Sequence, residues 1–563
     1  MTSAIAAPSG TAAADAAPTS ARLAPIEVVG VLGLIAVGAA SRAHGFTSLD
    51  LWFDDAWAAM PARVGLSSAV HMVGTAPGYG LALRTWIRLD PATTWWAQLP
   101  AFALGLLAIP AVYALVRWLR HPRWVAFGAA LVVTAGPLAI QYSTRVKEYP
   151  FDLLAACALL ALAERVRRAP SSRRLAALAA GSIVSFAASA GIAPVIAGTW
   201  LAVGIALGRR RELRTALGWT LAATAAGAAA VWVAFLRTLP GVLTTNWRRR
   251  GFLVDYRSLG RAERSISLIF GGFVHAALAY PVPVSFYRAG LDVHDASATV
   301  VGVAVLAVAI LVPVVASWRR RAVTPELAAS LTLLVAVSLA FADRVPLGDG
   351  RTDEVLYPAL LVALAATATR LAAWVRRSIR DGAPRRAASA LVAVALIAGS
   401  VAFALDHRAV YPTISLRTVG ARLNPLLRPG DVVFVDTFNS FGWCYYGLSP
   451  CRVQVGGLPP WPQGFRPVAT DPATTFIPAH YGIPLPELTV AQRLARRIWY
   501  VGYTFGTFDV GSDPARYDVP VGTYMTGLLR EDGWRPAPPS ATSVVFGVHA
   551  YALLLERAAR RPP

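Results

Sequence analysis

Four short polar stretches beside long apolar segments hold the residues best suited to chemistry. The first reads Leu49-Asp50-Leu51-Trp52-Phe53-Asp54-Asp55-Ala56-Trp57. Two adjacent carboxylates among aromatic rings at the edge of an apolar helix are costly to keep ionised. The structural alternative is that Asp54 or Asp55 caps a helix starting at Ala56, and one acid can cap while the other works. The second stretch, Gln141-Tyr142-Ser143-Thr144-Arg145-Val146-Lys147-Glu148-Tyr149-Pro150-Phe151-Asp152, crowds Arg145, Lys147, Glu148 and Asp152 together. Those charges either pair locally to fix two helix ends or meet an anionic ligand. The third, Asn246-Trp247-Arg248-Arg249-Arg250-Gly251, offers forked donors that suit a phosphate, or that snorkel to lipid headgroups. The fourth, Pro346-Leu347-Gly348-Asp349-Gly350-Arg351-Thr352-Asp353-Glu354-Val355-Leu356-Tyr357-Pro358, sets one arginine among acids on a glycine-rich turn. A tight capped loop accounts for the glycines but not for Arg351.

The elements that must position these stretches are membrane helices. Spans of about 20 apolar residues are predicted near 25–42, 95–117, 124–141, 149–164, 174–189, 191–208, 214–236, 296–318, 325–342, 354–375 and 387–405, about eleven in all. Every second linker between them is dense in arginine: Arg117 to Arg123, Arg165 to Arg174, Arg209 to Arg214, Arg319 to Arg321 and Arg376 to Arg386. Cytoplasmic loops retain Lys and Arg, so the alternation places the N-terminus inside and all four chemical stretches outside. The expected fold is a polytopic α-helical membrane protein in the plasma (inner) membrane. A cytoplasmic disordered tail covers 1–24, since MTSAIAAPSGTAAADAAPTS lacks the basic and apolar regions of a signal peptide. Residues 25–405 form the transmembrane part, with long external loops at 43–94 and 237–295, the latter with two surface helices.

Composition agrees. Of 563 residues 56% are hydrophobic and the mean hydropathy is +0.51, above the roughly 45–50% apolar share of soluble domains. The net charge of +22 would suit nucleic acid, but it belongs mostly to arginines flanking apolar spans, so no nucleic-acid partner is expected. Lysine occurs once, at Lys147.

Residues 406–563 change character. Pro429-Gly430 is a turn feeding a buried strand, Asp431-Val432-Val433-Phe434-Val435-Asp436. Arg497 to Tyr503 is a second strand, Val544 to Leu555 a third element, and 415–428 an amphipathic helix. This predicts an extracytoplasmic α/β domain of about 150 residues, an ordinary domain size. Its glycines lack the spacing that cradles a pyrophosphate. Cys444 and Cys451 are close enough for a disulfide on the oxidising side, and two separate thiols fit the spacing too. Cys157 lies within a span and is a small core residue.

Together these motifs resemble the GT-C superfamily of integral-membrane glycosyltransferases, specifically the bacterial group similar to protein O-mannosyltransferases and the Rgt-type glycosyltransferases. A carboxylate pair follows helix one, a basic-x-Tyr motif precedes helix four, and a Gly-Arg turn precedes a Tyr-Pro helix; the resemblance covers roughly 25–405. It implies that Asp54 is the base acting on the acceptor, with Asp55 second. The Tyr-Ser-x-x-Val-Lys-x-Tyr-x-x-Asp pattern falls on Tyr142, Ser143, Val146, Lys147, Tyr149 and Asp152, and the late arginine on Arg351. The resemblance thus implies donor-phosphate binding by Lys147 and Arg351, with Arg248 and Arg249 beside them, and substrate binding by Tyr142, Tyr149, Asp152 and Tyr79. The sequence departs in three places: Ala76-Pro77-Gly78-Tyr79-Gly80 stands where relatives often have His-Pro-Pro-Leu-Tyr, Arg145 where an acid is common, and Gln98 where a basic residue is frequent.

The implied activity is sugar transfer, hexosyl or pentosyl, from a polyprenyl-phosphate donor to an extracytoplasmic glycan, lipid or protein, with inversion at the anomeric carbon. No nucleotide is needed for a lipid-linked donor, which agrees with the missing nucleotide fingerprint. No cofactor is expected, since no His/Asp set has metal-ligand spacing, although a divalent ion at Asp54 and Asp55 stays open. The competing classes are a lipid or solute transporter and an inactive envelope-assembly subunit. A transporter predicts charges near the bilayer midplane, whereas these gather at helix ends.

Overall fold

The computed structural model describes residues 24–63, 65–66, 69–70, 77–208, 210–236, 253–254, 256–278, 296–348, 352–378, 414–435, 437–446, 475–478, 497–503, 534–538, 540, 542, 544–547 and 550–557. The N-terminal tail, the expected span at 387–405, Arg248, Arg249, Arg351 and Cys451 lie outside the described residues. The described chain is a helical bundle of membrane protein type followed by an α/β domain. The helices are α1 (Pro25–Ala43), α2 (Phe53–Ala59), α3 (Pro77–Ile87), α4 (Thr94–Trp118), α5 (Arg123–Ala135), α6 (Pro137–Tyr142), α7 (Tyr149–Arg168), α8 (Ser172–Ala188), α9 (Ala193–Leu207), α10 (Arg214–Val231), α11 (Leu259–Leu278), α12 (Ala296–Arg319), α13 (Leu327–Phe341) and α14 (Tyr357–Ser378). Among the described residues, five segments are long and apolar enough to cross a membrane: Pro25–Ala43, Thr94–Trp118, Ala190–Leu207, Arg211–Leu236 and Glu354–Trp374.

One expected span is broken. The segment 124–141 splits into α5 and α6 at Gly136. Pro137 has no N–H for the carbonyl of Val133, so the helix cannot run through. Arg42 of α1, fully buried, fills the gap: its Nη2 donates to Val133 O (2.8 Å), its Nη1 to Thr134 O (3.0 Å), and its Nε to Ser143 Oγ (3.0 Å). A cation at a helix C-terminus also meets the negative end of the helix dipole. One arginine thereby ties α1 to the break and to the loop that carries Lys147.

The bundle core is aliphatic, with Ile109, Val112, Leu153, Leu159, Val195, Leu333 and Leu360 all buried. Helices α9 and α13 approach closely because Gly198 has no side chain: a Cβ there would lie 2.4 Å from Thr332 N. Backbone cannot swing aside as a side-chain tip can, so Gly198→Ala is expected to lower stability by about 1–3 kcal/mol. Thermal unfolding in detergent measures this, and an unchanged midpoint would refute the close approach.

The C-terminal part matches the sequence pattern and adds to it. An amphipathic helix, α15 (Leu416–Leu423), precedes β1 (Asp431–Val435), and α16 (Thr437–Tyr445) follows it. Gly430 turns the chain into β1 with φ +86, a conformation that side chains rarely adopt. The sheet holds β2 (Thr475–Pro478), β3 (Arg497–Tyr503), β4 (Trp534–Pro536), β5 (Val544–Phe546) and β6 (Ala550–Arg557), in the order β2-β1-β3-β6-β4 with β5 also against β6. Strands β1, β2 and β3 are parallel and β6 runs against β3. The single element expected over Val544 to Leu555 is two strands. Buried Val433, Trp499 and Leu554 of the sheet pack with Leu416 and Val419 of α15. Asp431, buried at the strand's start, accepts from Arg497 Nε (2.9 Å) and Nη2 (2.6 Å), which ties β1 to β3.

Candidate active site

The two carboxylates lie in the first turn of α2, whose N-cap is Trp52 with no side-chain cap bond. The expectation that Asp54 or Asp55 caps a helix starting at Ala56 is therefore corrected: the helix starts three residues earlier, at Phe53. Both acids instead sit inside the first turn, where the positive end of the helix dipole favours them.

Asp55 is completely buried. Its Oδ2 forms an ion pair with Arg145 Nε at 2.8 Å, and its Oδ1 accepts the backbone N–H of Val146 at 2.8 Å. This one side chain joins the first chemical stretch to the second across 91 residues of sequence. Arg145 also lies over the Trp52 ring at 4.9 Å, a cation–π contact that gains from burial. An acid in place of Arg145 would leave the buried Asp55 carboxylate facing a like charge instead of its counter-ion. Asp54 is half-exposed at the neighbouring position. Lys147, also half-exposed, places its Nζ over the Trp57 ring at 5.6 Å. The acid pair and the lone lysine thus share one end of the bundle.

The expected substrate-binding residues gather nearby. Tyr142 and Tyr149 meet edge to face with centroids 4.9 Å apart. Asp152, buried in α7, accepts the hydroxyl of Ser189 at 2.9 Å through Oδ2, and its Oδ1 has no hydrogen-bond partner among the described residues. Tyr79 packs on Phe151, with centroids 6.1 Å apart. Burial, and then the carboxylates of Glu148, Asp152 and Asp55, push its hydroxyl pKa up, so it stays protonated. Within the departure at 76–80, Gly78 has a packing reason: a Cβ there would stand 2.8 Å from Ala187 O, so only glycine lets α3 rest on the end of α8; Ala76 lies outside the described residues. Among the described residues, no group of three His, Cys, Asp or Glu side chains could hold a metal ion.

Gln98 also has a clear role. Fully buried in α4, it donates to Gly45 O (3.0 Å) and Thr144 O (2.7 Å) and accepts from Thr47 N (3.1 Å). It fastens the end of α1, the approach to α2 and the Lys147 loop together, which a basic side chain, lacking an acceptor, could not do. Gln98→Met is expected to lower stability by about 2 kcal/mol through the unpaired groups left behind. Thermal unfolding checks it, with an unchanged midpoint meaning that other donors take over.

Residues from the C-terminal domain also reach this place, and nothing in their sequence signalled it. Phe441 of α16 stacks on Trp57 (5.6 Å between centroids, 9° between planes) and packs on Phe53 (5.0 Å). Buried Asp50 accepts the Arg417 backbone N–H (2.6 Å) and its guanidinium, and the N–H of Leu51 donates to Tyr446 Oη at 2.7 Å. Cys444 is buried beside them and disulfide-bonded; Cys451, its expected partner, is outside the described residues.

No family model matches the sequence, and no curated protein matches it. Among solved structures the chain is similar to the archaeal oligosaccharyltransferase AglB from Archaeoglobus fulgidus, solved with an inhibitory peptide and a dolichol-phosphate. That likeness has 13% identity and a TM-score of 0.48 and covers 84% of this chain and 69% of that one. It is similar to ArnT from Cupriavidus metallidurans bound to undecaprenyl phosphate, with 14% identity, 95% and 99% coverage and a TM-score of 0.44. It is also similar to the arabinosyltransferase EmbB from Mycobacterium smegmatis, with 14% identity, 70% and 42% coverage and a TM-score of 0.39. These neighbours are GT-C glycosyltransferases, the class that the motifs resemble.

Proposed function

We propose that the chain is an integral-membrane glycosyltransferase that moves a sugar from a polyprenyl-phosphate donor to an extracytoplasmic acceptor. The observation that carries this reading is the bond from Asp55 to Arg145 and Val146. It brings a carboxylate pair and the chain's one lysine, the two parts such a reaction needs, to the same end of the bundle. Asp54 takes the proton of the acceptor hydroxyl. The acceptor oxygen attacks the anomeric carbon as the bond to the donor phosphate breaks, in one displacement that inverts the centre. Lys147, together with Arg351, Arg248 and Arg249, holds the phosphate as its charge grows, an electrostatic role that supplies much of the rate enhancement in such sites. Tyr142, Tyr149, Asp152 and Tyr79 line the sugar side.

In this reading residues 25–405 span the plasma membrane with about eleven helices, and the arginine-rich linkers and the 1–24 tail are cytoplasmic. The domain at 406–563 is extracytoplasmic, where the Cys444 disulfide is stable. The acceptor is a cell-envelope glycan, lipid or protein, and the sugar a hexose or pentose.

The test is sugar transfer in membranes expressing the protein, given a panel of labelled polyprenyl-phosphate sugars, with and without EDTA. Transfer from one donor by wild type, lost in Asp54→Asn, is the expected result. No transfer from any donor by folded wild-type protein overturns the reading and favours a transporter or assembly subunit. Loss on EDTA treatment, restored by a divalent ion, would add a metal at Asp54 and Asp55.

A further inference from the structure

We propose that Tyr446 is a positioning residue for the acceptor base, so that the C-terminal domain sets the geometry of the site rather than only presenting an acceptor. The inference rests on the glycosyltransferase reading. Tyr446 Oη stands where three pieces of chain meet. It accepts the N–H of Leu51 at 2.7 Å, two residues before α2 begins, and shares a hydrogen bond of 3.2 Å with Thr94 Oγ1 at the start of α4. Its ring lies under the Arg417 guanidinium at 4.8 Å and edge-on to Tyr445 at 4.9 Å. Arg417 in turn grips Asp50 through both its backbone N–H and its guanidinium. The Asp50 N–H donates to Ile414 O at 2.9 Å. The two residues preceding Trp52, the N-cap of α2, are thus hydrogen-bonded to the C-terminal domain rather than to the bundle.

The far side of α2 is held by the same domain. Phe441 stacks on Trp57, and Lys147 lies over that same indole. Between them the two contacts fix the start of α2, its distal aromatic face and the ring beneath the lysine. There is little slack at this seam: a Cβ on Gly442 would lie 2.5 Å from Leu416 Cδ1 and 3.4 Å from Leu51 O. Burial, ahead of the Asp50 charge, pushes the Tyr446 pKa up, so the hydroxyl stays neutral and keeps both bonds. A base displaced by about 1 Å can lose on the order of 100-fold in rate without losing substrate binding, which is the signature of a positioning residue.

Tyr446→Phe removes one oxygen and keeps the ring. With the donor identified by the panel, kcat is expected to fall about 10- to 100-fold at unchanged donor KM, while the Leu51 N–H left without its acceptor lowers the unfolding midpoint without preventing folding. In the Asp54→Asn background the same substitution is expected to cost nothing further, because the group it positions is already gone. Thr94→Val, which removes the other bond to the same hydroxyl, is expected to move kcat in the same direction and less. Hydrogen exchange at the Leu51 amide, read without any donor, is expected to quicken in Tyr446→Phe. Wild-type kcat in Tyr446→Phe, an equal fall in both backgrounds, or a change confined to donor KM would each overturn the proposal. Absence of transfer by the wild type overturns the glycosyltransferase reading instead, and unchanged Leu51 exchange then sinks this inference separately.

Discussion

Asp54→Asn is expected to cut the initial rate of sugar transfer by about 10²- to 10⁴-fold, the range for loss of a positioned general base. Asparagine matches aspartate in shape, so the substitution removes the charge and the proton affinity and little else. The stability change should stay within about 1 kcal/mol, the size of one charge at a helix N-terminus. The assignment to Asp54 over Asp55 follows from what each side chain does in the fold. Asp55 is completely buried, with one oxygen on Arg145 and the other on Val146. Moving a proton onto it would break the pair that joins two loops. Asp54 is half-exposed one position earlier, where an acceptor can reach it. The assay is the initial rate at saturating donor, with donor KM alongside. A normal rate in Asp54→Asn with a dead Asp55→Asn would move the base to Asp55.

How legible this was differs from place to place. Helices such as Thr94–Trp118 and Tyr149–Arg168 were readable to within a few residues because apolar length is a local property of the chain. The broken segment at 124–141 was misread because the window average outweighs one proline, while the physical cost falls on a single carbonyl, Val133 O. Its rescue by Arg42 comes from a helix 91 residues away, and no local pattern encodes that. The cap assignment failed for a related reason. Asp54 and Asp55 are good capping residues, but tertiary contacts of Trp52 and Phe53 start the helix earlier.

The motif residues were readable as types and spacings. Their partners were not. Arg145 and Gln98 looked like departures from a pattern until Asp55 and the carbonyls of Gly45 and Thr144 appeared beside them. The C-terminal domain gave up its first strands, since Val432 to Val435 and Ile498 to Tyr503 are continuous runs of aliphatic, aromatic and glycine residues. It did not reveal Phe441, Tyr446 or Arg417 as neighbours of the site, because their significance depends on a docking across more than 300 residues of sequence.

Arg145→Ala is expected to be the most destabilising single change at the site, at about 3–5 kcal/mol, the cost of removing one partner of a buried ion pair. Arg145 is 7% exposed and Asp55 0%, so water cannot readily replace the lost partner. Arg145→Lys should recover only part of the loss, because an ammonium keeps the charge but not the flat face over Trp52 or the fixed reach to Oδ2. Replacing both partners, as Arg145→Gln with Asp55→Asn, removes the buried charges together and is expected to regain most of the stability. It should not regain transfer. The Val146 N–H can still find the Asn oxygen, but the charge-assisted bond that fixes α2 against the Lys147 loop is gone, and Asp54 loses its fixed distance from the donor phosphate. Thermal unfolding in detergent and transfer rate, measured on the same four proteins, separate the two roles. If stability and transfer return together in the double variant, the pair only holds the fold. If stability returns and transfer does not, Asp55 and Arg145 act on the reaction through the place they give Asp54.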